Sequence, residues 1–280
     1  MRRTAWFAAF ASVVGLGAAD FVQPAYAACD LSEAERVTVA TAEDGDTLAL
    51  SDGRTVRLVG VHAPAPPLGW RGDDPWPLVQ EAKATLTRLA AGQEVELKFG
   101  GRRSDRHGRS LAHVFVVQGE KRVWLQQALV ADGFARVYSF PDNRSCVAEL
   151  LASEADARAK HRGIWGVSAY RVREASDLEG LDRLMHSYQL VEGVVVAIGE
   201  ARDRLYLNFG EDWRRDFTVS VERKDAAAFA AAGLDLKALA GKRVRARGWL
   251  QWRNGPEIRA THAEQLELVP EATSSDGGGL

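Results

Sequence analysis

The 280-residue sequence lacks an excess of either charge, with 36 Lys and Arg against 38 Asp and Glu. A protein that binds nucleic acid through bulk charge is usually basic, so any anion site here must be built locally. Beyond its first 27 residues the chain also has no apolar run long enough to cross a bilayer. What is present, 46% hydrophobic and 26% charged residues, is the composition of an ordinary soluble globular protein.

The N-terminus has the pattern of an export signal. Arg2 and Arg3 precede an uncharged, mostly apolar run over residues 5–19, and an A-x-A cleavage pattern follows at residues 25–27. This pattern predicts a cleaved signal peptide over residues 1–27 and an exported protein, periplasmic or secreted. An uncleaved amphipathic anchor and a lipoprotein lipidated at the first cysteine are the alternatives.

Cysteine is scarce, and the only two cysteines are Cys29 and Cys146. In an exported protein an even cysteine count predicts a disulfide. Such a bond would hold the start of the mature chain, which otherwise frays. Two free thiols are the alternative.

The first half of the chain alternates strand-like segments with turn signals. Asp44-Gly45 is a strong hairpin dipeptide, and a Gly/Pro/Asp-rich loop over residues 64–77 leads into a helix that ends before Gly92. The predicted strands are 36–42, 46–50, 55–61, 94–99 and 110–118, with helices at 75–91, 123–131 and 146–161. Three strands, a helix and two strands are the order of an OB-type five-stranded barrel with added helices.

A similar order returns after a charged connector. Predicted strands at 190–198, 204–209 and 216–221 precede an Ala-rich helix at 224–239, and strands 242–252 and 256–269 follow, joined by an Asn-Gly hairpin. The sequence therefore predicts a mainly β, α+β protein with two barrels, the second smaller and OB-like. The predicted units are a signal peptide at 1–27, a first domain at 28–168, a linker at 169–188, an OB-like domain at 189–270 and a disordered tail at 271–280.

Four motifs in the first half give the chain a family resemblance. They are DGDT at 44–47, VRLVGV-x-AP at 56–64, SDRHGRSLAHV at 104–114 and EADARAKHRGIW at 154–165. In this order they resemble the staphylococcal nuclease, or thermonuclease (TNase-like), family over about residues 36–166. The resemblance implies a nuclease that hydrolyses phosphodiester bonds in DNA or RNA, with a Ca²⁺ ion, two arginines and acidic residues.

The resemblance also implies roles for individual residues. Asp46 matches a calcium ligand, and Arg57 and Arg109 match two arginines that contact the scissile phosphate. The sequence departs from the family pattern at His62, where an acidic ligand is usual, and at Ala65, where a water-activating glutamate is usual. The metal site and the catalytic site are therefore both incomplete.

These departures limit the expected chemistry. Calcium takes six to eight oxygen ligands, so Asp46 with few partners should bind it poorly. The imidazole of His62 suits zinc, copper, iron or nickel better, or it serves as a base, since its unperturbed pKa is near neutral. Arg57 lies in an apolar strand, so it either faces an anion or forms a structural ion pair with Asp46. Arg109 is in a charged loop and is either functional or simply solvated, with Asp105 as its brace.

The last strands of the second barrel combine basic and aromatic residues. Arg245, Arg247, Trp249 and Trp252 form the pattern of a surface that binds single-stranded nucleic acid. The alternating arginines equally suit a solvated barrel face. The leading hypothesis is a nuclease with a divergent active site. The alternatives are a non-catalytic protein that binds nucleic acid or another anion, and an envelope scaffold without an anion site.

Overall fold

The computed structural model describes residues 29–32, 35–72 and 74–270. The predicted signal peptide and C-terminal tail lie outside these described residues. Within them, no helix is long and apolar enough to cross a membrane.

The first half forms a closed barrel with helices, as predicted. Its sheet has the strand order β3-β2-β1-β5-β6-β7, and a parallel pairing of β3 with β6 closes it. The elements, in chain order, are β1 (Glu35–Ala42), β2 (Thr47–Leu50), β3 (Thr55–Leu58), β4 (Gly60–His62), α1 (Val79–Ala90), β5 (Glu94–Lys98), β6 (Ser110–Gln118), β7 (Lys121–Trp124), α2 (Leu125–Ala131), β8 (Arg136–Tyr138) and α3 (Val147–Ala159). The predicted helix at 123–131 is shorter than expected, because its start is strand β7.

The predicted strand 55–61 is broken, and the break places the site. Gly60 has a φ of +84°, a left-handed conformation that glycine adopts at little cost. After it the chain leaves the barrel, and β4 pairs with β8 through Val61 and Val137. His62 is thereby carried away from the barrel wall, to the edge of a cleft.

Leucines and valines fill the first barrel. The fully buried members include Leu48, Leu58, Leu86, Leu97 and Leu129. Each such side chain contributes about 1.5–3 kcal/mol by leaving water. The helix α1 presents Leu86 to this core, as its helical spacing predicts.

The second half forms a curled sheet. Counted in chain order, its strands follow one another around the sheet in the same cyclic order as those of the first barrel. Its elements are β9 (Arg173–Glu174), α4 (Leu178–Asp182), β10 (Tyr188–Val194), β11 (Ala197–Glu200), β12 (Arg204–Asn208), β13 (Thr218–Glu222), α5 (Arg223–Ala231), β14 (Arg243–Trp252), β15 (Pro256–Ala260) and β16 (Leu266–Leu268). The order is β11-β12-β13-β15-β14-β10-β9, and β13 and β15 are parallel, as β3 and β6 are. The predicted strand 256–269 is divided into β15 and β16 by a short helical turn.

One bent strand, β10 with β11, begins the second sheet at one end and lies next to its last strand, β9, at the other. The predicted strand 190–198 is β10 and β11, which are joined through Val195 and Val196. Val195 donates its N–H to Lys242 O at 2.9 Å, and Val196 donates to Asn208 O at 2.8 Å. The strand therefore bonds to β14 on one side and to β12 on the other, and the sheet curls back on itself as an OB barrel requires.

The segment predicted as a linker is packed into the second barrel. Strand β9 pairs in parallel with β10, and Leu181 of α4 is fully buried in the second core. Tyr170 donates a hydrogen bond to Pro77 O of the first domain at 2.7 Å. Residues 169–188 thus connect the barrels through ordered, buried contacts.

The two barrels share a third core and a buried ion network. Ala157, Ile164 and Trp165 pack with Tyr188 and Leu190 of the second barrel. Next to this core, the chain buries charges that link α3 to β14 and β16. The pairs are Glu154–Arg247, Glu267–Arg247, Glu267–Arg158, Glu267–Arg245 and Glu192–Arg245.

Candidate active site

A cleft of about 550 Å³ opens at the edge of the first barrel, next to β14 of the second. Strands β3 and β4, the charged loop before β6 and the residues after β8 form its walls. Four of the predicted site residues lie along it, namely Arg57, His62, Arg109 and Trp249. The tertiary structure thus brings together both predicted phosphate-binding arginines.

Asp46 holds Arg57 in place from the hairpin turn. The register pairs Thr47 with Arg57, which sets Asp46 beside the arginine. Oδ1 of Asp46 lies 2.5 Å from Arg57 Nη1, and Oδ2 accepts the N–H of Ala63 at 2.7 Å. Both carboxylate oxygens are therefore engaged by the protein. Asp46 has the structural ion pair with Arg57 that was one of the two expectations.

This pairing leaves much of the Arg57 guanidinium available. Its side chain is 14% exposed and lines the cleft. Nη1 donates to the carbonyl oxygen of Asp46 at 3.2 Å. Among the described residues, Nε and Nη2 have no hydrogen-bond partner. Arg57 is a cation that is fixed on one side and open on the other.

Arg109 is fixed in a similar way by Asp105. Its Nε donates to Asp105 Oδ2 at 2.7 Å, and its backbone N–H donates to Oδ1 at 3.0 Å. Asp105 also accepts the backbone N–H of His107 at 2.8 Å, which orders the loop. In the part of the chain that is described, both terminal nitrogens of Arg109 lack a partner. The predicted brace by Asp105 is present.

His62 lies among aromatic rings at the edge of the cleft. Its ring centroid is 5.8 Å from that of Tyr138, 5.7 Å from Tyr188 and 5.9 Å from Trp249. Burial, and then the nearby Arg136 and Arg57 cations, lower the pKa of His62 to about 3. The near-neutral pKa of an unperturbed histidine therefore does not apply here, and at pH 7 the neutral imidazole is a weak base.

The residues around Asp46 and His62 do not fit a calcium ion. The described residues include no group of three or more His, Cys, Asp or Glu side chains that would hold a metal ion. Asp46 already binds Arg57 and Ala63, and a neighbouring carboxylate, Asp44, has its pKa raised by partial burial and by Asp46. Calcium prefers six to eight oxygen ligands, several of them charged. This donor set is too small.

The four residues predicted as a nucleic-acid surface on the second barrel do not lie together. Arg247 is fully buried against Glu154 at 2.7 Å, and Arg245 pairs with Glu192 at 2.6 Å. Trp249 lines the cleft, with its Nε1 donating to Tyr138 Oη at 3.1 Å. Trp252 is 62% exposed and lies outside the cleft lining. Burial of the two arginines in ion pairs removes the continuous basic surface on which that prediction rests.

Aromatic residues form a wall of the cleft that the sequence motifs did not indicate. Tyr138 packs against Phe140 at 4.5 Å and against Tyr188 at 4.9 Å between ring centroids. Tyr138 ends β8 and Phe140 follows it, both outside the four sequence motifs, and Tyr188 lies at the edge of the predicted linker. No pattern in the sequence shows that these segments meet.

The predicted disulfide between Cys29 and Cys146 is present, which confirms the pairing. It links positions 117 residues apart and joins the start of the described chain to the N-terminus of α3. It closes no part of the cleft, so its role is structural.

Comparison with known proteins identifies the first domain. A model of the family "Staphylococcal nuclease homologue" matches residues 55–167. Endonuclease YncB of Bacillus subtilis (strain 168) is 30% identical over 139 residues, which cover 48% of this chain and 63% of that protein. The SPbeta prophage-derived endonuclease YokF of the same organism is 29% identical over 139 residues, covering 48% and 45%.

An uncharacterized protein of Bacillus anthracis is 26% identical over 133 residues, covering 46% of this chain and 59% of that protein. The chain thus spans only about half to under two thirds of the length of these relatives. The family match covers the first barrel from β3 onward, and β1 and β2 precede it. Residues 55–167 therefore belong to a domain of the staphylococcal nuclease family.

Proposed function

We propose that this protein hydrolyses phosphodiester bonds of nucleic acid in the cleft of the first barrel. The observation that carries the proposal is that Arg57 and Arg109 line one cleft, each braced by a carboxylate. Guanidinium groups match phosphate oxygens in geometry and charge. A domain of a nuclease family supplies the context for this pair.

In this proposal the two arginines hold the reacting phosphate. Arg57 donates its free N–H groups to one non-bridging oxygen, and Arg109 donates to another. Both stabilise the charge of the transition state, and preorganisation makes such donors effective. Asp46 and Asp105 are positioning residues, because each holds an arginine and leaves the phosphate side open.

The same geometry predicts a slow enzyme. Position 65 is alanine, and His62 has a pKa of about 3, so neither position supplies a strong general base at neutral pH. General-base assistance contributes roughly 10²–10⁴ in rate. Because the donor set does not fit calcium, we expect no strict calcium requirement. Zinc, copper, iron or nickel at His62 is the metal alternative that the sequence raised.

The aromatic wall supplies a place for a base next to the phosphate. Trp249 comes from the second barrel and Tyr138 from the first, and a hydrogen bond of 3.1 Å joins them. Bases stack on such rings with little sequence preference. This contact suggests that the second barrel completes the substrate site.

The disulfide is typical of an oxidising compartment. We propose that the protein is exported through the leader at residues 1–27, to the periplasm or the medium. Retention of the full-length chain in the cytoplasmic fraction would contradict this part of the proposal.

Cleavage assays of single-stranded DNA and RNA test the activity. Purified protein is incubated with chelator and, separately, with calcium, zinc and manganese, and product formation is measured. We expect Arg57→Ala and Arg109→Ala to lower the rate about 10²–10³-fold each, as loss of a transition-state donor does. Arg183→Ala, in an exposed pair with Glu179, is the matched control. Cleavage no faster than that of Arg57→Ala under every metal condition refutes hydrolysis.

The second candidate is binding of nucleic acid or another anion without cleavage. Two observations favour it, namely the engaged carboxylate of Asp46 and the low pKa of His62. It predicts salt-dependent binding that survives chelator and weakens in Arg57→Ala. Loss of binding on chelation would rule this candidate out.

A further inference from the structure

The second barrel has a groove of its own, of about 400 Å³, on its outer face. Strands β11, β12, β13 and β15 form its floor, and the β14–β15 hairpin forms one rim. None of its residues lines the cleft of the first barrel, and none falls within residues 55–167. The lining includes Tyr206, Asn208, Trp213, Thr218, Arg253 and Glu257.

The register across neighbouring strands builds the polar floor. Asn208 pairs with Thr218, and Thr218 pairs with Glu257, so the three residues form a row across the sheet. Thr218 Oγ1 donates to Asn208 Oδ1 at 3.4 Å. Among the described residues the amide nitrogen of Asn208 then has no partner and is free to donate to a ligand.

Glu257 is the unusual member of this row. It is only 4% exposed, yet within the described chain its carboxylate has no hydrogen bond and no ion pair. Other buried glutamates here are paired, as Glu154 is with Arg247 and Glu264 is with Arg144. Because Glu257 lines the groove, its carboxylate oxygens face that open space and are available to a ligand. The groove therefore favours a ligand with hydrogen-bond donors.

The walls of the groove are flat and aromatic. Trp213 is 50% exposed, and the guanidinium of Arg214 lies 4.4 Å from its ring centroid. Tyr206 lies on β12, two residues before Asn208, and lines the same groove. Exposed rings beside cations are the elements with which an OB barrel stacks bases and follows phosphates.

We propose that this groove binds a guanine base of single-stranded nucleic acid. The base stacks on Trp213, and its N1–H and N2–H donate to the two oxygens of Glu257. Arg253 at the rim contacts the adjoining phosphate. The negative floor disfavours a phosphate there, and thymine or uracil presents only one such N–H. The inference rests on the proposed function in that the ligand is the same nucleic acid.

Strand β14 relates the groove to the cleft. Trp249 lines the cleft, and Arg253 lies at the groove rim just after the same strand. At about 3.3 Å per residue, the separation along the strand is roughly 13 Å. A short single strand held in the groove would thus be near the cleft, and the groove would bias which phosphate is presented.

Fluorescence anisotropy with short oligonucleotides tests the inference. The full chain carries Arg57→Ala, which suppresses cleavage and cleft binding, and the probes are labelled dT7 and dT7 with one central guanine. We expect the guanine probe to bind about tenfold more tightly, the effect of one well-placed hydrogen-bonded pair. Trp213→Ala should weaken its binding roughly five- to 150-fold. Trp70→Ala, at an exposed tryptophan of the first domain that lines neither the cleft nor the groove, should leave binding unchanged.

Glu257→Gln separates recognition from stacking, because it keeps the shape and removes one acceptor. We expect it to abolish the preference for guanine while leaving the binding of dT7 intact. Equal binding of both probes, or a preference that survives Glu257→Gln, overturns the inference. Thermal unfolding of each variant checks that the fold is kept.

The outcomes distinguish the inference from the proposed function. Cleavage by the wild-type protein without any groove preference refutes the groove alone. Guanine binding without cleavage refutes hydrolysis alone. The assignment of the ligand is overturned if a neutral oligosaccharide or tetramethylammonium quenches the fluorescence of Trp213 and neither oligonucleotide does.

Discussion

The two barrels share one strand order but use their arginines in opposite ways. In the first barrel Arg57 and Arg109 are each held on one side by a carboxylate and face a cleft on the other. In the second, two arginines of β14 are held in ion pairs. Arg245 pairs with Glu192, and Arg247 pairs with Glu154 and Glu267. The first arrangement leaves positive charge for a ligand, whereas in the second the charge is neutralised by ion pairs, of which Arg247 with Glu154 joins the two barrels.

The difference shows what strand alternation can and cannot indicate. Alternation places Arg245 and Arg247 on one face of β14, as the sequence predicts. Whether that face meets solvent, a ligand or another domain depends on what packs against it. Here α3 packs against it and contributes Glu154, so the face is an interface.

The largest expected effect comes from breaking that interface. Glu154→Ala leaves Arg247 buried with one carboxylate fewer and frees the backbone N–H of Val137. Removing one partner of a buried pair costs about 3–5 kcal/mol. Chemical denaturation measures it, with Glu179→Ala in an exposed pair as the control, expected to lose less than about 1 kcal/mol. Equal losses in the two variants would show that the network does not stabilise the interface.

The disulfide distinguishes the barrels next, since only the first has one. The double variant Cys29→Ala, Cys146→Ala should lose about 2–5 kcal/mol in the free energy of unfolding, because the bond closes a loop of 117 residues. Denaturation of the variant and of the reduced wild-type protein should agree. A loss below about 1 kcal/mol would mean that the N-terminal segment is held by other contacts.

Acidification should destabilise both barrels through buried histidines. Burial lowers the pKa of His62 to about 3 and those of His113 and His262 to about 4, and in the unfolded chain each is near 6.5. The unfolded state therefore binds more protons between about pH 6.5 and 4, and stability falls as the pH falls through that window. Each group contributes up to about 1.4 kcal/mol per pH unit.

Denaturation curves from pH 7 to 4 measure this slope. His262→Asn should reduce it by up to about 1.4 kcal/mol per pH unit, although it also loses the contact with Ser139 at 2.7 Å. The exposed His107→Asn serves as the control. A slope that His262→Asn leaves unchanged would contradict the assigned pKa.

The smallest effect should come from Trp249, the residue of the second barrel that lines the cleft. Trp249→Phe keeps a ring but loses the hydrogen bond to Tyr138. A net loss of about 0.5–1.5 kcal/mol corresponds to a rise in KM for single-stranded substrates of roughly two- to tenfold. Trp252→Phe should leave KM unchanged. If both variants behave alike, the second barrel does not contribute to the cleft.

Much of the fold follows from local signals. The hairpin at Asp44-Gly45, the helix α1 with Leu86 inward and the strand order of both halves agree with their patterns. The errors lie where a chain changes direction within a strand-like run. The strand 55–61 breaks at Gly60, and the strand 190–198 bends at Val195 and Val196, because pairing partners far along the chain divide each run.

The sequence by itself determined the two barrels, the nuclease-family motifs, the cysteine pair and the absence of the usual acidic groups at positions 62 and 65. These depend on residue identity and short-range spacing. Only the tertiary structure decided that Asp46 is engaged by Arg57, that His62 is neutral, and that Arg247 is buried while Glu257 is unpaired. Each of these is a matter of desolvation and of partners brought from distant strands, and the free energy of a charge depends on both.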